Sequence, residues 1–343
     1  MNKKENILNL LYSELVDYLQ GLREKTYRAT QIFEWIYQKG AWTFDEMKNL
    51  PNEFRDKLKQ KYQIKPFQII KKQISQDGTT KFLFQLEDGE KIETVLIPSS
   101  KRTTICLSTQ AGCKFGCNFC ASGIGGWQRD LSTAEILMQV LHAKEEAKNH
   151  KNPLSHLVYM GVGEPFDNFK NMMKSIRIIN DKKGLNVGAR RITVSTCGII
   201  PKIKEFAKEG LQVELSISLH GYDNESRNIL MPVNRKYPFH ELMEACREYV
   251  KETNRQITFE YILIKDVTCT ERAAQALKRA FKGIICKMNL IPYNSVSEFD
   301  YFAPSRQEIY NFQNRLEAIG IHATLRMPRG QDVLAACGQL RYK

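Results

Sequence analysis

The sequence predicts an α/β fold in which six strand-then-helix units build a parallel sheet, curved or partly closed, behind a small helical module and a β-hairpin. Three observations carry this. Apolar residues three and four apart dominate the first 65 or so positions. The run KFLFQLEDGEKIETVLI then alternates on both sides of Asp88-Gly89, a hairpin signature. Beyond it, strand-like runs alternate with helix-like stretches to the C-terminus.

In order, YRATQIFEWIYQKG and NEFRDKLKQKY read as short helices punctuated by Gly40 and Pro51. They place a helical accessory domain at residues 1–70 and the hairpin connection at 71–100. From residue 101 the units are TTICLST with 132–148, HLVYMGVG with 168–180, RRITVST with 201–209, QVELSISLH with 239–253, QITFEYILI with 270–282 and CKMNLIPYN with 305–319. Sites in such folds lie at the C-terminal strand ends. There stand GCKFGCNFCASG, GVGEP, STCG, SLHG and PYN.

Hydrophobic residues make up 42% and charged ones 26% of the 343, which excludes a disordered or collagen-like chain. No secretory leader and no run of about 18 apolar residues is found, so the expected location is the cytoplasm, with no membrane partner. The net charge of +13 favours polyanionic partners, nucleic acid before membrane. Lys25, Arg28, Lys39, Arg55, Lys57 and Lys59, interleaved with Tyr27 and Trp35, form an N-terminal surface suited to RNA, or an ordinary solvated face.

Nine cysteines in a reducing compartment argue against a disulfide framework and for metal or redox chemistry. Cys113, Cys117 and Cys120 crowd into eight residues with no second pair, which does not suit a four-ligand structural zinc site. Three thiols suit an iron–sulfur cubane with one iron left open to an outside ligand. Gly161, Gly163 and Glu164 follow the second strand, where glycines admit close backbone approach and a carboxylate accepts from an ammonium. Ser195, Ser218, Leu219, His220 and Asn294 continue the ring at later strand ends. Taken singly, each polar member is more often a turn or cap residue than a ligand.

CxxxCxxC with Phe119 before its last Cys resembles the signature of the radical S-adenosylmethionine (SAM) superfamily, which implies a partial (β/α)6 barrel. Together with KIETVLIP, YMGVGEP, SISLH, MPVN, NLIPYN and AACGQL, the chain resembles the RlmN/Cfr family of RNA adenosine methyltransferases, the RlmN branch more closely. The resemblance implies a 4Fe–4S cluster on Cys113, Cys117 and Cys120 and two SAM molecules per turnover, with Gly163, Glu164, Ser195, Ser218, Leu219, His220 and Asn294 around the cofactor. It implies that Cys337 accepts a methyl group from SAM, that a 5′-deoxyadenosyl radical activates that S-methyl toward adenine C2, that Glu93 accepts the C2 proton, and that Cys106 releases the product by forming a disulfide with Cys337. It further implies 23S rRNA and tRNA as substrates, flavodoxin or ferredoxin as electron donor, and a monomer. Without the resemblance, Glu93 reads as a solvent-facing strand residue and Cys106 and Cys337 as core thiols. Cys197, Cys246, Cys269 and Cys286 read as structural. Methylation at C8, as in the Cfr branch, shares these residues. A non-catalytic RNA-binding or electron-transfer protein would need neither Cys106 nor Cys337.

Overall fold

The computed structural model describes residues 4–341. Helices α1 (Tyr12–Gly21), α2 (Tyr27–Phe33) and α3 (Asn52–Lys61) form the N-terminal module. Their apolar faces, with Leu15, Leu19, Ile32, Phe33, Phe54 and Leu58 buried, join the core of the main sheet domain. Three strands follow, β1 (Gln68–Ile74), β2 (Thr80–Gln85) and β3 (Lys91–Pro98), all antiparallel. The sequence reading anticipates the β2–β3 hairpin but not β1. That edge strand, QIIKKQI, is exposed almost throughout and so lacks the alternation that marks a half-buried strand.

The six expected parallel strands are β4 (Thr103–Cys106), β5 (Leu154–Tyr159), β6 (Ile192–Thr196), β7 (Glu214–Ser218), β8 (Ile257–Leu263) and β9 (Cys286–Pro292), and a short β10 (Ala323–Leu325) extends them. Their order in the sheet is their order in the chain, from β1 at one edge to β10 at the other. This follows when each strand returns beside its predecessor through a helix. The returning helices are α4 (Thr133–Ala147), α5 (Phe169–Asn180), α6 (Ile200–Ala207), α8 (Phe239–Thr253), α9 (Glu271–Ala280) and α10 (Arg306–Ala318). A seven-residue helix, α7 (Asn224–Leu230), is inserted before α8.

Local chemistry sets these elements. Ser132 and Glu135 close a capping box on α4, and Ser305 and Glu308 close one on α10. Strand β8, ITFEYIL, is buried along its whole length, as a parallel strand covered on both faces must be. The module docks on α4 through Lys144 Nζ, which donates to Tyr37 O at 2.6 Å, and through Asn9 Oδ1, which accepts from Ala134 N–H at 2.8 Å. A second, small apolar cluster of Val95, Cys106, Val162, Ala335 and Leu340 lies where the C-terminal tail crosses β3 and β4. No helix among the described residues is long and apolar enough to cross a membrane.

Candidate active site

The loop after β4 carries the three clustered thiols. A short antiparallel ribbon, Gln110–Gly112 with Trp127–Asp130, closes its base, and Cys113 N–H donates to Gly126 O at 3.0 Å. Within it, Cys120 N–H donates to Cys117 O at 3.1 Å. Cys113, Cys117 and Cys120 are half-buried and line one cavity. Burial raises all three thiols, Cys113 to about 12, and neighbouring cysteines add to the rise. Free thiols in this setting stay protonated, whereas a bound iron centre displaces the protons. Among the described residues no three His, Cys, Asp or Glu side chains converge as a single metal ion requires. Three thiols lining one space fit a cubane three of whose irons take one thiol each.

The far wall of the cavity comes from the next strand ends. Gly163 has φ +98°, and a Cβ there would stand 2.5 Å from Gln110 Cβ, so only glycine lets the β5 loop pack against residue 110. Glu164 is buried beside it, with Oε1 accepting from Phe166 N–H at 2.9 Å and Oε2 from Cys197 N–H at 2.7 Å. Burial raises its pKa and these donors oppose the rise. Each oxygen has a second lone pair for an ammonium group. Ser195 and Ser218 end β6 and β7 with their hydroxyls 3.2 Å apart. His220 Nδ1 accepts from Ile262 N–H at 3.1 Å and its ring meets Phe119 edge-on at 4.9 Å. Burial lowers its pKa to about 3, so the imidazole is neutral.

Two residues expected in this ring lie elsewhere. Leu219 is fully buried in the core and does not line the cavity, because alternation along the strand end turns it away from Ser218 and His220. Asn294 lines a neighbouring cavity, its Nδ2 donating to Cys337 O at 3.0 Å and its Oδ1 accepting from Gln331 Nε2 at 2.8 Å. It holds the tail, not the cluster pocket.

That tail brings Cys337 to the site. Ala121 N–H donates to Gly338 O and Ser122 Oγ to Leu340 O, both at 2.7 Å, so AACGQL is bonded directly to the cluster loop. Cys337 is exposed and lines both the cluster cavity and the second one, of about 280 Å³, which also presents Arg102, His156, Arg191, Arg326 and Arg329. Cys106 is buried close by: burial raises its thiol to about 12, the Cys337 thiol adds to this and Arg326 opposes it. Both cysteines are free thiols.

Glu93 lies on β3, two residues before Val95, the partner of Cys106 across the ladder. It lines neither cavity and is buried, not solvent-facing as its strand pattern alone suggests. Lys81 Nζ stands 3.0 Å from its Oε1 and also donates to Leu334 O at 3.2 Å. Burial raises the Glu93 pKa against the pull of Lys81. Lys81 and Arg326 are absent from the sequence reading. The lysine was findable: the Asp88-Gly89 turn pairs Lys81 with Val95 and Leu83 with Glu93, which makes Lys81 and Glu93 diagonal neighbours. Arg326 sits in an irregular segment with no periodicity to read.

Residues 107–281 match the Radical SAM superfamily. Residues 5–64 match the ribosomal RNA large subunit methyltransferase N-terminal domain. A probable dual-specificity RNA methyltransferase RlmN of Lysinibacillus sphaericus is 47% identical over 340 residues, 99% of this chain and 90% of that protein. The chain belongs to the RlmN family of radical SAM RNA methyltransferases. Its namesake in Clostridium novyi is 45% identical over 98% of both chains. The crystal structure of a radical SAM methyltransferase from Sphaerobacter thermophilus superimposes with a TM-score of 0.94 at 43% identity, covering 98% of this chain and 99% of that one.

Family membership makes the protein a SAM-dependent RNA methyltransferase whose cofactors are a 4Fe–4S cluster and SAM. The expected fold, a radical SAM α/β domain behind an N-terminal accessory domain, is the one present. For an RlmN-family chain the N-terminal cations are less available than their sequence suggests. Arg28 and Lys57 pair with Glu24, and Lys59 pairs with Asp45 and Asp56. The arginines of the second cavity put positive charge beside Cys337 itself.

Proposed function

We propose that this enzyme methylates C2 of an adenosine in the peptidyl transferase centre of 23S rRNA and of the adenosine 3′ of the anticodon, position 37, in tRNA, through a methyl group carried on Cys337. Adenine C2 is electron-poor and cannot displace the methyl of SAM as an oxygen, nitrogen or sulfur nucleophile does. A protein thiolate can. The observation that carries the reading is the placement of Cys337, an exposed thiol on a segment bonded to the cluster loop and lining both the cluster cavity and the arginine-rich one.

When bound on Cys113, Cys117 and Cys120, the cluster supplies the electron for reductive cleavage of SAM, the second SAM of each turnover. The chain's own residues do the rest. Glu164 accepts from the SAM ammonium, the Ser195 and Ser218 hydroxyls and neutral His220 bind its remaining polar groups, and Gly163 lets the cofactor lie against the backbone. Cys337 takes a methyl from the first SAM and presents it to the base. Glu93 accepts the C2 proton as the base adduct gives up one electron, balancing the one spent on cleaving SAM. The Cys106 thiolate then attacks the Cys337 sulfur, forming a disulfide and freeing the base-bound methylene, which takes up a proton to become the methyl group. The target base leaves its stack to reach the cavity, and Arg102, Arg191 and Arg329 attract the RNA backbone at its mouth. The reading includes a cytoplasmic monomer reduced by a flavodoxin- or ferredoxin-type donor.

The test is mass spectrometry of nucleosides from a 23S rRNA fragment and from tRNA after anaerobic incubation with reconstituted protein, SAM and a reductant. A 2-methyladenosine product is expected, and Cys337→Ala should abolish it while leaving the cluster in place. An 8-methyladenosine product would move the reaction to C8, and activity in the Cys337→Ala protein would remove the methyl carrier.

A further inference from the structure

Arg227, on α7, is a fully buried arginine. Its Nε donates to Leu219 O at 3.1 Å, Nη1 to Asn234 Oδ1 at 3.1 Å, and Nη2 to Cys197 O at 2.5 Å and Ser218 O at 3.3 Å. Every acceptor is a neutral carbonyl. The guanidinium is therefore hydrogen-bonded but has no carboxylate among these partners. A buried ion without a counter-charge is costly, and buried charges are as a rule paired.

The groups around it identify the anion. Two of its acceptors, the carbonyls of Cys197 and Ser218, belong to residues that line the cavity of Cys113, Cys117 and Cys120, and Cys197, Cys117 and Cys246 are the thiols that support its charge against burial. Of these, Cys117 belongs to the three-thiol loop. The same helix grips that loop: Asn118 N–H donates to Leu230 O at 2.9 Å and Asn118 Nδ2 to Ile229 O at 2.5 Å. Gly221 makes the arrangement possible, because a Cβ there would stand 2.9 Å from Arg227 Cα and Cβ. Cys117 and Arg227 thus belong to one docked unit.

We propose that Arg227 is the buried counter-cation of the thiolate-bound cluster, offsetting the charge at Cys117 and easing one-electron reduction by the external donor. The inference rests on Cys113, Cys117 and Cys120 being the ligands. Reduction adds one electron and no proton to a site that is already anionic, so a fixed positive charge at its edge stabilises the reduced form more than the oxidised one. Arg227 is a positioning and tuning residue in this account. It is fully buried and lines neither cavity.

The experiment is a potentiometric EPR titration of the reconstituted cluster in the parent protein, R227K and R227Q, with iron content and far-UV circular dichroism of each. R227K keeps the charge, and its potential should stay near that of the parent. R227Q should be at least tenfold harder to reduce, a potential lower by about 59 mV for a one-electron couple, or should hold less iron while the chain remains folded. Parent-like potential and iron in R227Q would overturn the proposal, as would an equal shift in R227K and R227Q, which would assign the effect to the hydrogen-bond fork. Should R227Q fail to fold, R227K decides: a parent-like potential supports the charge reading and a tenfold shift refutes it. Unchanged iron in Cys117→Ala would instead defeat the ligand assignment.

Discussion

Replacing Lys81 with Met tests the most deeply buried ion pair near the site. Lys81 and Glu93 stand 3.0 Å apart with side chains 7% and 5% exposed, so removing the lysine leaves a buried carboxylate under the C-terminal tail with only the weaker pull of Arg341 to offset its charge. Breaking one side of such a pair costs about 3–5 kcal/mol, a large part of the ~5–15 kcal/mol that holds a typical domain folded. The sign of the pH dependence follows from Glu93. Its folded pKa is already above the ordinary 4.5, burial being the main cause, and loss of Lys81 raises it further. A raised carboxyl costs nothing below the unfolded pKa; the cost grows as pH rises through the interval up to the folded pKa and is constant above it. The variant should therefore be about 3 kcal/mol less stable than the parent near pH 8 and regain much of that difference by about pH 5. Adding Glu93→Gln should restore most of the loss near pH 8. Urea unfolding of the cofactor-free chain at both pH values, with hydrogen exchange on β2 and β3, reads the effect. Equal losses at both pH values, or none, would refute the electrostatic account.

Three further outcomes follow from the site. Cys106→Ala should accumulate a covalent protein–RNA adduct, visible as a slow band on a denaturing gel; release of free methylated RNA would remove Cys106 as the resolving thiol. Cys117→Ala should lower bound iron and stop SAM cleavage, as read by iron assay and by 5′-deoxyadenosine formation, and unchanged iron would mean that the loop holds no cluster. Gly163→Ala places a Cβ 2.5 Å from Gln110 at φ +98°. Overpacking costs about 1–3 kcal/mol, so SAM affinity measured by calorimetry should fall roughly tenfold or more; unaltered affinity would show that the β5 loop does not bear on SAM.

The six predicted parallel strands were legible because each is a short apolar run followed by a helical period. Strand β1 was not, since an exposed edge strand carries no hydrophobic alternation, and α7 is too short to show a period. At the site, close sequence spacing made Cys113, Cys117, Cys120, Gly163 and Glu164 legible. Leu219 and Asn294 show the limit of that reasoning: a residue at the mouth-side end of a strand can point into the core or bind the tail, and adjacency to a motif does not say which. Lys81, Arg227 and Arg326 act through partners distant in sequence, so only the register and the docking of the tail reveal them.

The contrast between the two tail-associated thiols gives the proposed chemistry an order. Cys337 is exposed on an irregular segment, whereas Cys106 is buried with its pKa raised to about 12. A thiol held protonated is a poor nucleophile, so Cys106 does not compete with Cys337 for the methyl of SAM. It becomes useful only when its proton can leave or when the group on Cys337 is activated as a leaving group. Glu93 stands on the strand paired with that of Cys106 and is held by Lys81; in the proposed chemistry it takes the C2 proton from the base, the step that precedes disulfide formation. Exposing Cys106, for instance by Leu340→Ala in the small apolar cluster that covers it, should therefore divert methyl groups onto Cys106. Peptide mass spectrometry after incubation with SAM alone reads the result. Methylation confined to Cys337 in that variant would show that burial is not what keeps the resolving thiol silent.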